Sequence, residues 1–143
     1  MRRLREVVSG WVAAIFPPKT LGRRGEDAAA RYLCRQGYRI IARGGRARLG
    51  EIDLVCLDRG TIVFVEVKTR TSTEAGQPVE AVTARKQRRV TRTAVALLKR
   101  HGLLESPARF DVVGVVWHEG CRRPTIEHFP NAFEAVGRDE FYS

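Results

Sequence analysis

The order of patterns along the chain (helix, strand, hairpin, helix, strand, strand) predicts an α/β sandwich with a mixed central sheet of about five strands flanked by helices. Three observations carry that prediction. Two apolar β-like runs, 51–57 and 61–70, flank the turn-prone Asp58-Arg59-Gly60, which is the mark of a β-hairpin. Helical spacing of apolar residues recurs on both sides of the hairpin, over 21–36 and from Pro78 to near Gly102. Two more strand-like runs, 110–117 and 125–129, close the pattern.

Each element has its own local reason. In the first helix Leu21, Gly25, Ala28, Ala29, Tyr32 and Leu33 fall on one face, and Gly37 is placed to stop it. The run 38–43 reads as a first strand. It leads through Gly44-Gly45 into a basic loop with Arg46 and Arg48, which suits either a phosphate-contacting loop or a simple connection. In the second helix Val82, Val90, Ala94 and Leu97 supply much of the buried face, with Pro78 as the opening residue. A length of 143 residues supports one core rather than two. The expected organisation is an N-terminal extension over 1–20, flexible or weakly helical and ended by Pro17-Pro18, a domain over 21–135, and a tail over 136–143. The apolar stretch of the extension is too short and too interrupted to span a bilayer, and no small-residue cleavage site follows it.

Charge narrows the function classes. The net charge is +10 and the pI about 10.5, which points to a polyanionic partner, nucleic acid ahead of a membrane surface. No acid lies between residues 28 and 50 or between 81 and 104, so the carboxylates concentrate in the hairpin between two basic tracts. In the second tract Arg85, Arg88, Arg89 and Arg92 follow helical spacing and form a stripe suited to duplex phosphates; a solvated helix face is the plainer explanation. Arg46 and Arg48 in the loop, Arg70 at the end of the hairpin, and Lys86 complete the candidate nucleic-acid-binding set. Three cysteines without C-x-x-C spacing fit a reduced, cytoplasmic protein. His101, His118 and His128 are scattered without metal or triad spacing, and Asp111 is explained by pairing with Arg109.

Against this background Asp53, Glu66 and Lys68 are out of place, because they interrupt apolar strands where a structural role alone would select valine or isoleucine. With a two-residue Arg59-Gly60 turn, Asp58 pairs with Thr61, and the register carries Asp53 opposite Glu66 and Glu51 opposite Lys68. A three-residue loop would shift the pairing by one and divide the charges between the two faces. In the even register the two carboxylates stand about 5 Å apart and repel by roughly 3 kcal/mol at an effective dielectric near 20. A hard cation, Mg²⁺ or Mn²⁺, relieves that repulsion better than zinc, which favours histidine and cysteine. Lys68 is one of only four lysines beside 22 arginines, and lysine can act as a point charge next to a water or a phosphate. A cross-strand salt bridge on a half-exposed sheet accounts for the same residues without chemistry. Glu26, on the edge of the first helix's apolar face, is placed either to join the carboxylates or to complement the helix dipole.

Four separated motifs carry a family resemblance. Gly22-Arg23-Arg24-Gly25-Glu26-Asp27-Ala28-Ala29, Gly50-Glu51-Ile52-Asp53-Leu54-Val55, Val65-Glu66-Val67-Lys68-Thr69-Arg70 and Arg109-Phe110-Asp111-Val112-Val113 look like the YraN family of bacterial endonuclease-like proteins, over about residues 20–133. That family resembles the restriction-endonuclease-like PD-(D/E)xK nucleases, especially archaeal Holliday-junction resolvases. The resemblance implies a restriction-endonuclease-like sandwich that hydrolyses phosphodiester bonds in DNA, branched or structured DNA foremost, with a homodimer as the working form. It implies Asp53, Glu66 and Glu26 as ligands of Mg²⁺ or Mn²⁺, Lys68 as the catalytic lysine, and Gln87 or Lys86 as the auxiliary polar residue of the second helix. It further implies products with a 5′-phosphate and a 3′-hydroxyl. Ile52 stands where the motif's name has proline, which leaves the acids in place. The competing class is a non-catalytic nucleic-acid-binding or scaffold protein that keeps the nuclease fold.

Overall fold

The structure, a computed structural model, describes residues 20–44, 49–71 and 82–135. The expected extension over 1–20, except for Thr20, the loop residues Arg46 and Arg48, the helix opening at Pro78 and the tail over 136–143 lie outside the described residues. In chain order the elements are α1 (Leu21–Arg35), β1 (Arg39–Arg43), β2 (Leu54–Asp58), β3 (Thr61–Arg70), α2 (Ala84–Arg100), β4 (Ala108–Val116) and β5 (Thr125–Phe133). The strands make one sheet in the order β1-β2-β3-β4-β5. Only β3 and β4 run parallel, and α2 lies in the crossover that a parallel pair requires. This is the mixed α/β sandwich of the restriction-endonuclease-like class that the sequence predicts.

Period-two alternation sends each strand's side chains to two different helices. Val63 and Val65 of β3 join Leu54, Cys56, Val113 and Val115 beneath Ala28, Ala29 and Leu33 of α1. Ile62 and Phe64 join Val55, Ile41 and Phe110 against Val90, Ala94 and Leu97 of α2. By the same alternation Glu66 and Lys68 continue the α2-facing row, whereas Val67 and Thr69 belong to the α1 side.

The hairpin turn takes the two-residue form. Asp58 pairs with Thr61, and both central residues have positive φ, Arg59 at 50° and Gly60 at 85°, as a type I′ turn demands. Leu54 consequently pairs with Val65, where the ladder ends, and Asp53 next to it lies close enough to Glu66 for their carboxyls to interact. Both helices end in the same device. Gly37 (φ 94°) and Gly102 (φ 66°) occupy the left-handed position after the caps, and the next residue donates back to the last turn: Tyr38 N–H to the Leu33 carbonyl at 2.9 Å, and Leu103 N–H to the Leu98 carbonyl at 2.7 Å.

Three boundaries differ from expectation. The second helix starts at Ala84 rather than at Pro78, because the Thr83 hydroxyl accepts the Lys86 N–H at 3.2 Å and caps it there. In β1 the register slips between Ile40 and Ala42, a bulge that turns both Ile41 and Ala42 into the α2-side core. β5 runs on past Phe129 to Phe133: the register shifts across Pro130 and Asn131, the Asn131 N–H donates to Asp111 Oδ1 at 2.9 Å, and Phe133 stacks on Phe110.

Candidate active site

β3 outlasts its partner. The β2 ladder begins only at Leu54, so the last residues of β3, from Glu66 to Arg70, are paired on the β4 side but leave β2 behind. Asp53 stands at that fork. Its N–H donates to the Val65 carbonyl at 3.2 Å, and its carboxylate Oδ2 accepts the Val67 N–H at 2.7 Å, so a side chain satisfies the amide that the ladder no longer serves. The segment before it is docked on α2: Gly50, at φ 60°, lies so close to Thr93 that an added Cβ would sit 3.1 Å from its methyl group.

Glu66 is 4% exposed, unusual for an acid, and its two oxygens have different surroundings. Oε1 faces two ammonium groups, Lys68 Nζ at 3.4 Å and Lys86 Nζ at 3.2 Å. Oε2 is buried without a hydrogen-bond partner. Lys86 also reaches Glu51 Oε2 at 3.1 Å and so ties α2 to the segment preceding Asp53. Burial works against the charged Lys86, but its hydrogen bonds to Glu51 and Glu66 outweigh that and raise its pKa. The same contact lowers the pKa of Glu51.

Asp53 shows what this crowding costs. Burial first and the adjacent Glu66 second push its carboxyl up to about 7, against the pull of the Val67 amide, and Glu26 adds a smaller push. Glu26 itself is raised, chiefly by burial, with Arg23 and Arg43 opposing and Asp27 and Glu66 adding to the rise. It comes from α1, held down by Gly25 packed on Thr69, and its buried Oε1 has no hydrogen-bond partner, with Arg23 Nη1 3.9 Å away.

The structure thus brings Asp53, Glu66, Lys68 and Lys86 together, with Glu26 near enough to be felt electrostatically. The three expected ligands Asp53, Glu66 and Glu26 do not form a ready-made cluster: among the described residues no three carboxylate, imidazole or thiolate side chains are gathered as a metal would need. The reason is topological: Glu66 continues the α2-facing row of β3, Asp53 holds its carboxylate at the Val67 N–H on the strand edge, and Glu26 descends from α1. The donor chemistry nonetheless fits a hard divalent cation at Asp53 and Glu66. Two crowded carboxyls, one with an unpartnered buried oxygen, are oxygen donors in need of positive charge.

Gln87 is not brought to the carboxylates. Neighbours on a helix stand 100° apart, so one flank of α2 presents Lys86 to Glu66 while Gln87 turns away and donates its amide to the Val82 carbonyl at 2.9 Å. Arg85, Arg88, Arg89 and Arg92 form an exposed stripe along the outside of α2, and Arg70 ends β3 beyond Lys68. Glu51 was legible only as a charge on the hairpin face, and its tie to Lys86 is new. A second polar centre is built far along the sheet, at the hairpin-turn end. Fully buried Asp111 accepts from Arg109 Nε at 3.0 Å and contacts His128 Nε2 at 2.7 Å, while Arg109 also donates to Tyr38 Oη and to Asp58. The predicted Arg109–Asp111 pair is there; the histidine was not anticipated in it.

The profile of the uncharacterised protein family UPF0102 matches residues 25–115, which include Glu26, Asp53, Glu66, Lys68 and Lys86. Relatives are similar over most of their length. UPF0102 protein RB9115 of Rhodopirellula baltica is 51% identical over 125 residues, covering 85% of this chain and 75% of that one. UPF0102 protein GSU0650 of Geobacter sulfurreducens is 52% identical over 116 residues, covering 81% and 90%. UPF0102 protein Cphamn1_0017 of Chlorobium phaeobacteroides is 44% identical over 122 residues, covering 82% and 97%. With its motifs, fold and relatives in agreement, the chain belongs to the UPF0102 family, the YraN family that its motifs resemble.

Proposed function

We propose that this chain is a divalent-metal-dependent endonuclease acting on DNA, with branched or structured DNA as its substrate class. The observation that carries the proposal is the crowding of the Asp53 and Glu66 carboxyls at the open end of β3, beside Lys68 and Lys86. A purely structural sheet gains nothing from two crowded carboxyls, one of them almost fully buried, where a valine pair would pack without cost.

Mg²⁺ or Mn²⁺ held by Asp53 and Glu66, with the Val67 carbonyl as a further oxygen donor, would neutralise a phosphodiester and make its phosphorus more electrophilic. The protein's own groups do the positioning. The Val67 amide fixes the Asp53 carboxylate at 2.7 Å, so that oxygen cannot rotate away from the fork. Lys68, 3.4 Å from Glu66, keeps two further protons for a non-bridging phosphate oxygen and for the attacking water, and stabilises the charge that grows as the water adds. Lys86 holds Glu66 and Glu51 from the α2 side. The exposed arginines of α2 give neighbouring phosphates a cationic surface on the same side of the sheet.

The test is cleavage of labelled duplex, flap, four-arm and single-stranded DNA with Mg²⁺ or Mn²⁺. Asp53→Asn keeps an oxygen for the Val67 amide, and Lys68→Met keeps the side-chain length. Both should abolish cutting and hold DNA affinity within a few fold. A wild-type chain that cuts none of the substrates with either metal would overturn the reading and leave a nucleic-acid-binding module.

A further inference from the structure

A second basic surface lies on the other side of the sheet. A cavity of about 550 Å³ opens between α1 and the start of β5, lined by Ala28, Arg31, Arg35, Arg123, Pro124 and Ile126. All three arginines are exposed, and no carboxylate is among the lining residues. The sequence places them there for identifiable reasons. Arg24, Ala28, Arg31 and Arg35 follow i, i+4, i+7, i+11 spacing and share one stripe of α1. Arg24 anchors the stripe, its guanidinium 4.9 Å over the Trp117 ring just past β4. Alternation along β5 turns Ile126 toward α1, where it packs against the α1-side core, and so sends its acidic neighbour Glu127 to the opposite face.

Three guanidinium groups around one concavity repel one another, and no carboxylate among the described lining residues offsets that repulsion. The opposing flank of α1 is different, since Glu26 looks from it toward Asp53 and Glu66; Asp27, four residues before Arg31, is tied instead to Arg43 of β1. At 100° per residue Glu26 stands roughly 160° around the helix from Arg24 and roughly 140° from Arg31, so the two flanks face opposite ways. Phosphates bound at the β3 fork and along α2 therefore cannot also fill this cavity. The cavity has small apolar walls and guanidinium donors but no aromatic lining on which a base would stack, which suits a sugar-phosphate backbone better than a free nucleobase.

We infer that the groove between α1 and β5 binds the phosphate backbone of a second nucleic-acid segment, distinct from the one presented to the β3 fork. This deepens the nuclease reading and rests on its nucleic-acid half: the substrate offers two backbone segments to two faces of one chain. Arg31, Arg35 and Arg123 are the contacts.

The experiment measures how the affinity of the full chain for a four-arm junction and for a short linear duplex falls with salt, without divalent metal. Replacing all three arginines by glutamine should flatten the junction's log–log slope by roughly 2.7, at about 0.9 per phosphate contact, and leave the linear duplex's slope unchanged. Arg88→Ala with Arg89→Ala should flatten both slopes. The single variant Arg35→Gln, an exposed change on a helix, guards against misfolding of the triple variant and should flatten the junction slope by about one. An unchanged junction slope, or equal flattening on both substrates, would overturn the second-segment assignment. So would inorganic pyrophosphate that binds wild type and not the triple variant while both DNA slopes stay the same, since that marks a small-anion pocket. If wild type shows the junction-specific slope but cuts nothing, the nuclease reading falls and the groove stands; if it cuts and the triple variant keeps the wild-type slope, the groove alone falls.

Discussion

Gly25→Ala tests how α1 is held over the site. A Cβ at position 25 would lie 1.8 Å from Thr69 Oγ1 and 2.9 Å from both Thr69 Cβ and Cγ2. Turning the Thr69 side chain can move Oγ1 and Cγ2 but not its own Cβ, so the helix must shift by several tenths of an ångström at least. Overpacking of this kind costs about 1–3 kcal/mol, whereas alanine gains about 1 kcal/mol over glycine in a helix interior. The clash wins by about 1 kcal/mol, which lowers the melting temperature by roughly 2–4 °C in a chain of this size. Thermal denaturation followed by circular dichroism measures it. Thr69→Ala removes the two nearest γ atoms, so the double variant should recover part of the loss, with a favourable coupling of about 0.5–1 kcal/mol in the double-mutant cycle. Because Glu26 is the next residue, Gly25→Ala should also slow cleavage while DNA affinity holds. A Gly25→Ala chain as stable as wild type, or a cycle with no coupling, would refute the close approach of α1 and β3 and with it the route by which Glu26 is presented.

Other expectations follow from the same contacts. Asp111→Asn removes a buried carboxylate that serves Arg109, His128 and the Asn131 amide, and should cost about 3 kcal/mol in urea denaturation near neutral pH. Its pKa is depressed in the fold: burial raises it, and the hydrogen bonds from His128, Asn131 and Arg109 more than reverse that. The carboxylate's contribution is thus fully present above its ordinary value of 3.8 and is lost as pH falls through the lower folded value, so the variant's stability should fall less steeply than wild type's in that acid range. Lys86→Met should raise the pKa of Glu51 toward its ordinary value, read by side-chain NMR titration, whereas Gln87→Ala should leave Glu51 unmoved; the reverse pattern would contradict the assignment of α2's flanks. Of the three cysteines, Cys34 and Cys121 are exposed and should react with a thiol reagent at pH 8, while Cys56, buried and with its thiol pushed upward by burial, should react only on unfolding.

The sheet was legible because its strands obey period two without exception where it matters, and because the Arg59-Gly60 turn can supply two positive φ values and so fixes the register. Of the two registers open to the sequence, the two-residue turn is the one found, and it carries the ladder back to Leu54, the neighbour of Asp53. What could not be read were features decided by tertiary geometry. The start of α2 depends on a threonine cap that competes with a proline five residues earlier, and local preference does not rank the two. The bulge at Ile41 and the long β5 arise where the apolar pattern breaks, at an Ile-Ile-Ala run and at Pro130-Asn131. The choice between Lys86 and Gln87 is a 100° question, settled by which flank of α2 meets Glu66. Glu26 is the instructive residue. Its helical position says that it borders the apolar face, but on which side of the sheet that face lies follows only from the crossover, and the crossover puts Glu26 on the side opposite Glu66 and Lys68. It acts on Asp53 and Glu66 through the gap where β2 stops short of β3. The fork is therefore the element that makes a site from residues of both layers: were β2 to extend two residues further, the Val67 amide would be paired by backbone, and Asp53 would have no reason to hold its carboxylate there.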